Sequence, residues 1–471
     1  MAEPRLATPA NPFGSDMSNP GDSDDTPIAS IQQLADLIAV GCKPPEQFRI
    51  GTEHEKFGFR RADLAPPAYE PGGIRDVLTG LLAFGGEAIL DHGQPIGIKL
   101  PGGASVSLEP AGQLELSGAP LLTLHDTRQE FDLHLRQVHA VAGNLGLGFS
   151  PIGFHPLATR DEMPWMPKGR YAIMRRYMPT VGTRGLDMMT RTCTVQVNLD
   201  YSSEDEMRRK LRVSLALQPL ATALFANSPF TEGRPNGMQS ARANVWLDTD
   251  NQRSGIPAVM FEDGYGFERH AQWLVDEVPM YFVHRDGGYI DVAGKSFRDF
   301  MDGRIPELAG EIATVSDFAD HLTTAFTDVR LKQFLEMRGA DAGTPAMMLA
   351  QSALWVGLLY DDAALAAAES LVAGVTHAEI VASRAAVPRL GLAAPFRGGT
   401  LRDIAADAVA IAATGLRSRG RRNALDQDES AYLDPVAAIA AGAPTQADRW
   451  LERYRMVWNG SAMPILIESA T

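Results

Sequence analysis

The chain has only two cysteines, Cys42 and Cys193, in 471 residues. Two thiols cannot build a disulfide framework, and they suit a reducing compartment. Cys193 lies in the apolar run TRTCTVQVNLDY, where a packed core thiol is the reading rather than a nucleophile. Long apolar stretches are also missing; nothing approaches the roughly 18–20 residues of a membrane span. Positive charge is scarce, with 43 Lys and Arg against 58 Asp and Glu and a net charge of −15. A field of that sign repels nucleic acid and anionic membranes, so neither is an expected partner. The basic run 417–422 reads as a solvated surface segment. Familiar signatures are absent as well. No P-loop or GxGxxG follows a strand, no GxSxG elbow occurs, and HEK at 54–56 is not HExxH.

Residues 1–25 have neither an apolar signal core nor the Arg-rich, acid-poor character of a transit peptide. They read as a disordered leader, and a cytoplasmic protein is expected. Residues 26–471 are expected to form one catalytic domain, with an Ala-rich helical region from about 345 to 471. Helical periodicity appears at 28–41, 73–86, 123–147 and 207–227. Strands are expected at 51–59, at 96–100 and 105–110 joined by a PGG turn, and at 113–120. Further strands are expected in TCTVQVNLDYS, ARANVWLD (241–248), the paired runs of 280–294, and LKQFLEMRGAD. Strands and helices do not alternate regularly, so an α+β fold with an antiparallel sheet is favoured over a doubly wound parallel one.

Carboxylates occupy these strands in unusual settings. Glu53 and Glu55 share one face of the first strand, about 7 Å apart by strand rise. Ile50, Thr52, His54 and Lys56 share the other. Gln113 and Glu115 likewise project together, and Glu109 and Glu336 sit in apolar strand sequence. A single ExE pair fits a solvent-facing strand. Several acidic strand segments flanked by apolar residues instead want a cation, because buried carboxylates need a positive partner. Mg²⁺, which takes oxygen ligands and substrate phosphates, fits that need. Residues 168–191 add Lys168, Arg170, Arg175, Arg176, Arg184 and Arg191 against one acid, Asp187. That island suits phosphate oxygens. Arg242 and Arg338 are isolated cations in apolar strand-like sequence, with a structural ion pair as the alternative role.

These segments, with LALQPLATALFANSPF, MYFVHRDGGYIDVAG and WVGLLYDD, resemble glutamate–cysteine ligases of the plant and proteobacterial type. The likeness runs in order over roughly residues 30–362. It implies the glutamine-synthetase-like carboxylate–amine ligase fold: a curved antiparallel funnel with helices outside. It implies Glu53, Glu55, Glu109, Glu115 and Glu336 as metal ligands, with Gln113 and Gln196 nearby. By the same resemblance Lys56, Arg170 and Arg338 would be catalytic contacts to ATP phosphates. Arg242 would hold the α-carboxylate of glutamate, with Trp246 close by. The implied reaction is ATP-dependent joining of the γ-carboxylate of L-glutamate to the amine of L-cysteine through γ-glutamyl phosphate. That is the first step of glutathione biosynthesis; a sibling ligase for another amine is the alternative. A monomer or homodimer is expected. Where plant relatives carry switch cysteines, this chain has Arg128, Val292, Glu307 and a residue near Leu349, so a thiol switch is not expected.

Overall fold

The computed structural model describes residues 24–471. Of the leader expected over 1–25, residues 1–23 lie outside the described residues, while the Asp24 N–H donates to Ser316 Oγ at 2.6 Å. At the centre is a nine-stranded sheet. Its strands are β1 (Ile50–Arg60), β2 (Glu87–Asp91), β3 (Gln94–Lys99), β4 (Ser105–Leu108), β5 (Leu114–Ser117), β6 (Leu147–Ser150), β7 (Thr194–Leu199), β8 (Val329–Leu331) and β9 (Leu335–Asp341). They lie in the order β8-β9-β7-β1-β5-β4-β3-β2, and every pairing is antiparallel. β1 is long enough to serve three neighbours: Ile50 to His54 pair with β7, Glu53 to Lys56 with β5, and Phe57 to Arg60 with β6. The antiparallel α+β expectation is met, and the sheet stays open.

Register decides the chemistry of each face, because residues directly opposite one another point the same way. Glu53 faces Ser117 on one side and Gln196 on the other; Glu55 faces Glu115; Glu336 faces Asn198; Ser107 faces Glu115. All of these therefore project to one polar face. The opposite face carries Leu114, Leu116, Val195, Val197, Leu335 and Met337, all buried. Truncating fully buried Leu335 to Ala would cost about 2–5 kcal/mol. The register shifts between Met337 and Ala340, a bulge in β9.

Helices flank the sheet, some packed on its apolar face and some around the cavity on its polar face. They include α1 (Leu124–Asn144), α2 (Gly169–Val181), α3 (Gly185–Arg191), α4 (Glu204–Leu224), α5 (Ala241–Val245), α6 (Pro345–Leu359) and α7 (Leu401–Arg419). A capping box between Thr123 and Asp126 starts α1. Thr344 caps α6 and Pro345 occupies its first turn, where a missing N–H costs nothing. α6 is apolar all round because it is wrapped, with Met347 to Leu359 all buried. One apolar cluster joins Leu34, Val197, Leu335, Trp355 and Leu416, so sheet and C-terminal helices share a core. Among the described residues no helix is long and apolar enough to cross a membrane.

Two local expectations fail. ARANVWLD is not a strand; its first residues form α5, a short helix whose N-terminus is capped by Ser240 Oγ accepting from Ala243 N–H at 3.0 Å. Five residues are too few for their period to separate helix from strand, and the cap decides. Strand β2 was not anticipated, since EAILD pairs only at the sheet edge and four of its five residues are at least partly exposed.

Candidate active site

A cavity opens over the polar face of β1, β5 and β7. Glu55, Glu109, Arg170, Arg242, Trp246 and Arg338 reach it, and Met174, Met188, Phe282 and Phe326 form its apolar side. Glu55 is half-buried; its Oε2 accepts the Thr194 N–H at 3.0 Å. Burial and the neighbouring Glu109 push its carboxyl up to about 8, against the pull of Arg242 and Arg338. Glu109 is thus near enough to Glu55 for its charge to be felt.

The other acids of the row sit deeper. Glu53 accepts from the Gln196 amide at 2.8 Å and the Asn198 amide at 2.7 Å. The Asn198 Oδ1 is buried without a partner beside it. Glu115 accepts from Ser107 Oγ at 3.3 Å. Glu336 takes two bonds from Arg330, at 2.6 and 2.8 Å, and one from Arg338 at 2.6 Å. Burial raises the Glu336 carboxyl, but the two arginines outweigh it and hold it at about 2. Arg330 was missed in the sequence. It was detectable: Arg330 and Glu336 are opposed about the turn of VRLKQFLE, and they pair directly between β8 and β9.

The cations divide into cavity and scaffold. Arg338 bonds Glu336 and the Gln196 Oε1, so it combines the expected role with the structural alternative. Arg242 is 3% exposed; its NH2 donates to the Arg338 carbonyl at 2.9 Å, while its Nε is buried without an acceptor. The indole Nε1 of Trp246, one residue past α5, is likewise buried with no acceptor. Arg170 projects from α2 with its guanidinium 5.7 Å from the Tyr171 ring centre. Gln113 lines the cavity too, but its amide is spent on the carbonyls of Met189 and Thr192 at 3.2 and 3.1 Å.

Lys56 stands apart from the other expected contacts. It lies on the far side of β1, fully buried, with Nζ 3.0 Å from His54 Nδ1, and His54 packs edge-on against His134 and Phe131. Strand alternation put Lys56 with His54, opposite Glu53 and Glu55, and the structure keeps it there. It does not line this cavity, unlike Arg170 and Arg338. Most of the basic island also disperses. Lys168 donates to the Leu108 carbonyl at 3.1 Å, Arg175 covers Trp165, Arg176 pairs with Asp291, and Arg191 pairs with Asp187 and Glu232.

Among the described residues no three His, Cys, Asp or Glu side chains are grouped to hold one ion. The acids form a row, with Glu55 and Glu109 at the cavity and Glu53, Glu115 and Glu336 behind. Its donors are nonetheless all oxygens, and beside them lies the unpartnered amide oxygen of Asn198. That chemistry fits a hard divalent cation.

An acid row crossed by arginines on an open antiparallel sheet is the arrangement here, and the chain that carries it matches a ligase family. In fold the chain resembles the crystal structure of glutamate–cysteine ligase from Francisella tularensis in complex with AMP. The TM-score is 0.54 and the identity 13%, with 90% of this chain and 87% of that one covered. Residues 49–467 match the glutamate–cysteine ligase family 2 profile. Glutamate–cysteine ligase B, chloroplastic, of Oryza sativa subsp. japonica is 50% identical over 443 residues, 94% of this chain and 87% of its own length. The chloroplastic glutamate–cysteine ligase of Arabidopsis thaliana is 50% identical over 438 residues, 93% of this chain and 82% of its own. The chain belongs to glutamate–cysteine ligase family 2. The expected cytoplasmic location is corrected by these relatives, which are themselves chloroplastic proteins.

Proposed function

We propose that this ligase joins the γ-carboxylate of L-glutamate to the amine of L-cysteine in the cavity between Glu55 and Arg242. It would do so as one catalytic domain over 26–471, acting as a monomer or homodimer. The observation that carries this reading is the pair of buried, unanswered donors, Arg242 Nε and Trp246 Nε1. Leaving such groups unpaired costs about 1–3 kcal/mol each. A carboxylate entering the cavity would relieve both, and the α-carboxylate of glutamate is the fitting group.

With its α-end held there, glutamate would present its γ-carboxylate toward Glu55, Glu109 and Arg170. A γ-carboxylate oxygen attacks the γ-phosphorus of ATP, the bond to the ADP oxygen breaks, and γ-glutamyl phosphate forms. The neutral amine of cysteine then attacks the acyl carbon, and phosphate leaves with the C–O bonding pair. Arg170 and Arg338 would neutralise the phosphoryl oxygens in a site from which water is largely excluded. Mg²⁺, held by Glu55 and Glu109 and by Glu53, Glu115 and Glu336 behind them, would supply positive charge opposite the ATP phosphates. The apolar side built by Met174, Met188, Phe282 and Phe326 supports a small, weakly polar second substrate such as cysteine.

ADP release with ATP and glutamate, with cysteine present or omitted, tests the reaction. Release is expected to depend on cysteine, and a panel of amines in its place should be poorer. Strong preference for a non-thiol amine would replace cysteine with that amine.

A further inference from the structure

Asp341 closes the motif LEMRGAD, yet neither the metal row nor the phosphate contacts use it. It is 1% exposed, and its carboxylate is bonded on both oxygens. Oδ1 accepts from Ser240 Oγ at 2.8 Å; Oδ2 accepts from Ser228 Oγ at 2.6 Å and from the Asn227 N–H at 2.8 Å. Each serine then turns its lone pairs to α5. Ser228 Oγ accepts from the Arg242 N–H at 3.3 Å, and Ser240 Oγ accepts from the Ala243 N–H at 3.0 Å. A hydroxyl has one proton, so the direction of every bond in this network follows from an acceptor-only group at its centre. An amide at 341 would put a donor against one serine and leave a buried hydroxyl proton unanswered.

The approach is also unusually close. A Cβ built on Gly153 would stand 2.3 Å from Asp341 Cγ, so only glycine at 153 lets the carboxylate settle there. Arg242 feels the Asp341 charge as well: burial depresses its guanidinium, and Asp341 is the first group to oppose that. Fold, hydroxyl polarity and charge all connect Asp341 to the residue that reaches into the cavity.

We propose that Asp341 is the positioning residue for Arg242, fixing through Ser228 and Ser240 where its guanidinium meets the α-carboxylate of glutamate. This rests on the reading of Arg242 as the glutamate anchor. The test is steady-state kinetics of Asp341→Asn, Ser228→Ala and Arg242→Ala, and of the two double variants with Arg242→Ala, each with a thermal melt. Asp341→Asn is expected to raise the glutamate KM about tenfold and Ser228→Ala about threefold, with ATP KM and kcat within about twofold. In the Arg242→Ala background neither should raise it further. Ser228→Ala removes only a hydroxyl and decides the matter if Asp341→Asn fails to fold. An unchanged glutamate KM in Ser228→Ala, equal effects on glutamate and ATP, or full additivity with Arg242→Ala would overturn the positioning role. If Arg242→Ala itself leaves the glutamate KM unchanged, the anchor assignment fails instead.

Discussion

Arg330 and Glu336 meet across the last hairpin in a two-pronged ion pair, at 2.6 and 2.8 Å, with side chains 2% and 0% exposed. The pair anchors the inner end of the acid row, and Arg330 and Arg338 together keep the Glu336 carboxylate charged in the interior.

Breaking that pair leaves a buried charge behind. Arg330→Met is expected to destabilise the fold by about 3–5 kcal/mol, softened by the remaining Arg338 contact. Urea unfolding measures it; a loss under about 1 kcal/mol would mean that Glu336 is already compensated by Arg338.

Glu55 should behave in the opposite way. Glu55→Gln removes one of two crowded carboxylates, so its melting temperature should equal or exceed that of the parent, while ligation falls by at least about 100-fold. A folded variant with near-parental ADP release would remove Glu55 from the site.

Lys56 lies on the apolar side of β1, where burial pulls its ammonium down to about 7. Lys56→Met is expected to leave the ATP KM within about twofold of the parent. A tenfold rise in ATP KM, at unchanged glutamate KM, would return Lys56 to the phosphate site.

Glu130 on α1 offers a pH signature away from the cavity. Its Oε1 accepts the Ala119 N–H at 2.8 Å, its Oε2 is buried without a partner, and burial pushes its carboxyl from 4.5 up to about 7. The folded state therefore holds a proton that the unfolded chain releases at lower pH. The group's contribution is full below 4.5 and is lost as pH rises through about 7. Glu130→Gln should match the parent at about pH 4 and exceed it by about 1–3 kcal/mol at about pH 8. Parallel stability curves for the two proteins would contradict this.

Much of the sheet could be read from the chain because alternation is a local property. Glu53 with Glu55 and Gln113 with Glu115 share faces as their spacing requires, and the PGG turn joins β3 to β4. What could not be read depends on partners distant in sequence. Arg176 meets Asp291 and Arg191 meets Glu232, so counting charges in 168–191 overstated the positive field at the cavity. Arg242 was found, but on a helix rather than a strand. Lys56 shows the converse: its strand position, read correctly from alternation, sets it on the face away from the cavity.

The bulge in β9 has a consequence for deletions. Arg338 and Asp341 are three residues apart, an odd interval that plain pleating would send to opposite sides of the sheet. The extra residue restores an even count, so Arg338 lies opposite Gln196 while Asp341 lies opposite Thr194, on the same side. Gly339 fills that slot because a Cβ there would stand 2.2 Å from Gln218 Oε1, which its own N–H bonds at 2.9 Å. Removing this one residue would act as a parity error. It would turn either Arg338, bonded to Glu336 and Gln196, or the carboxylate behind Arg242 into the apolar core, a penalty that no point substitution in β9 reproduces.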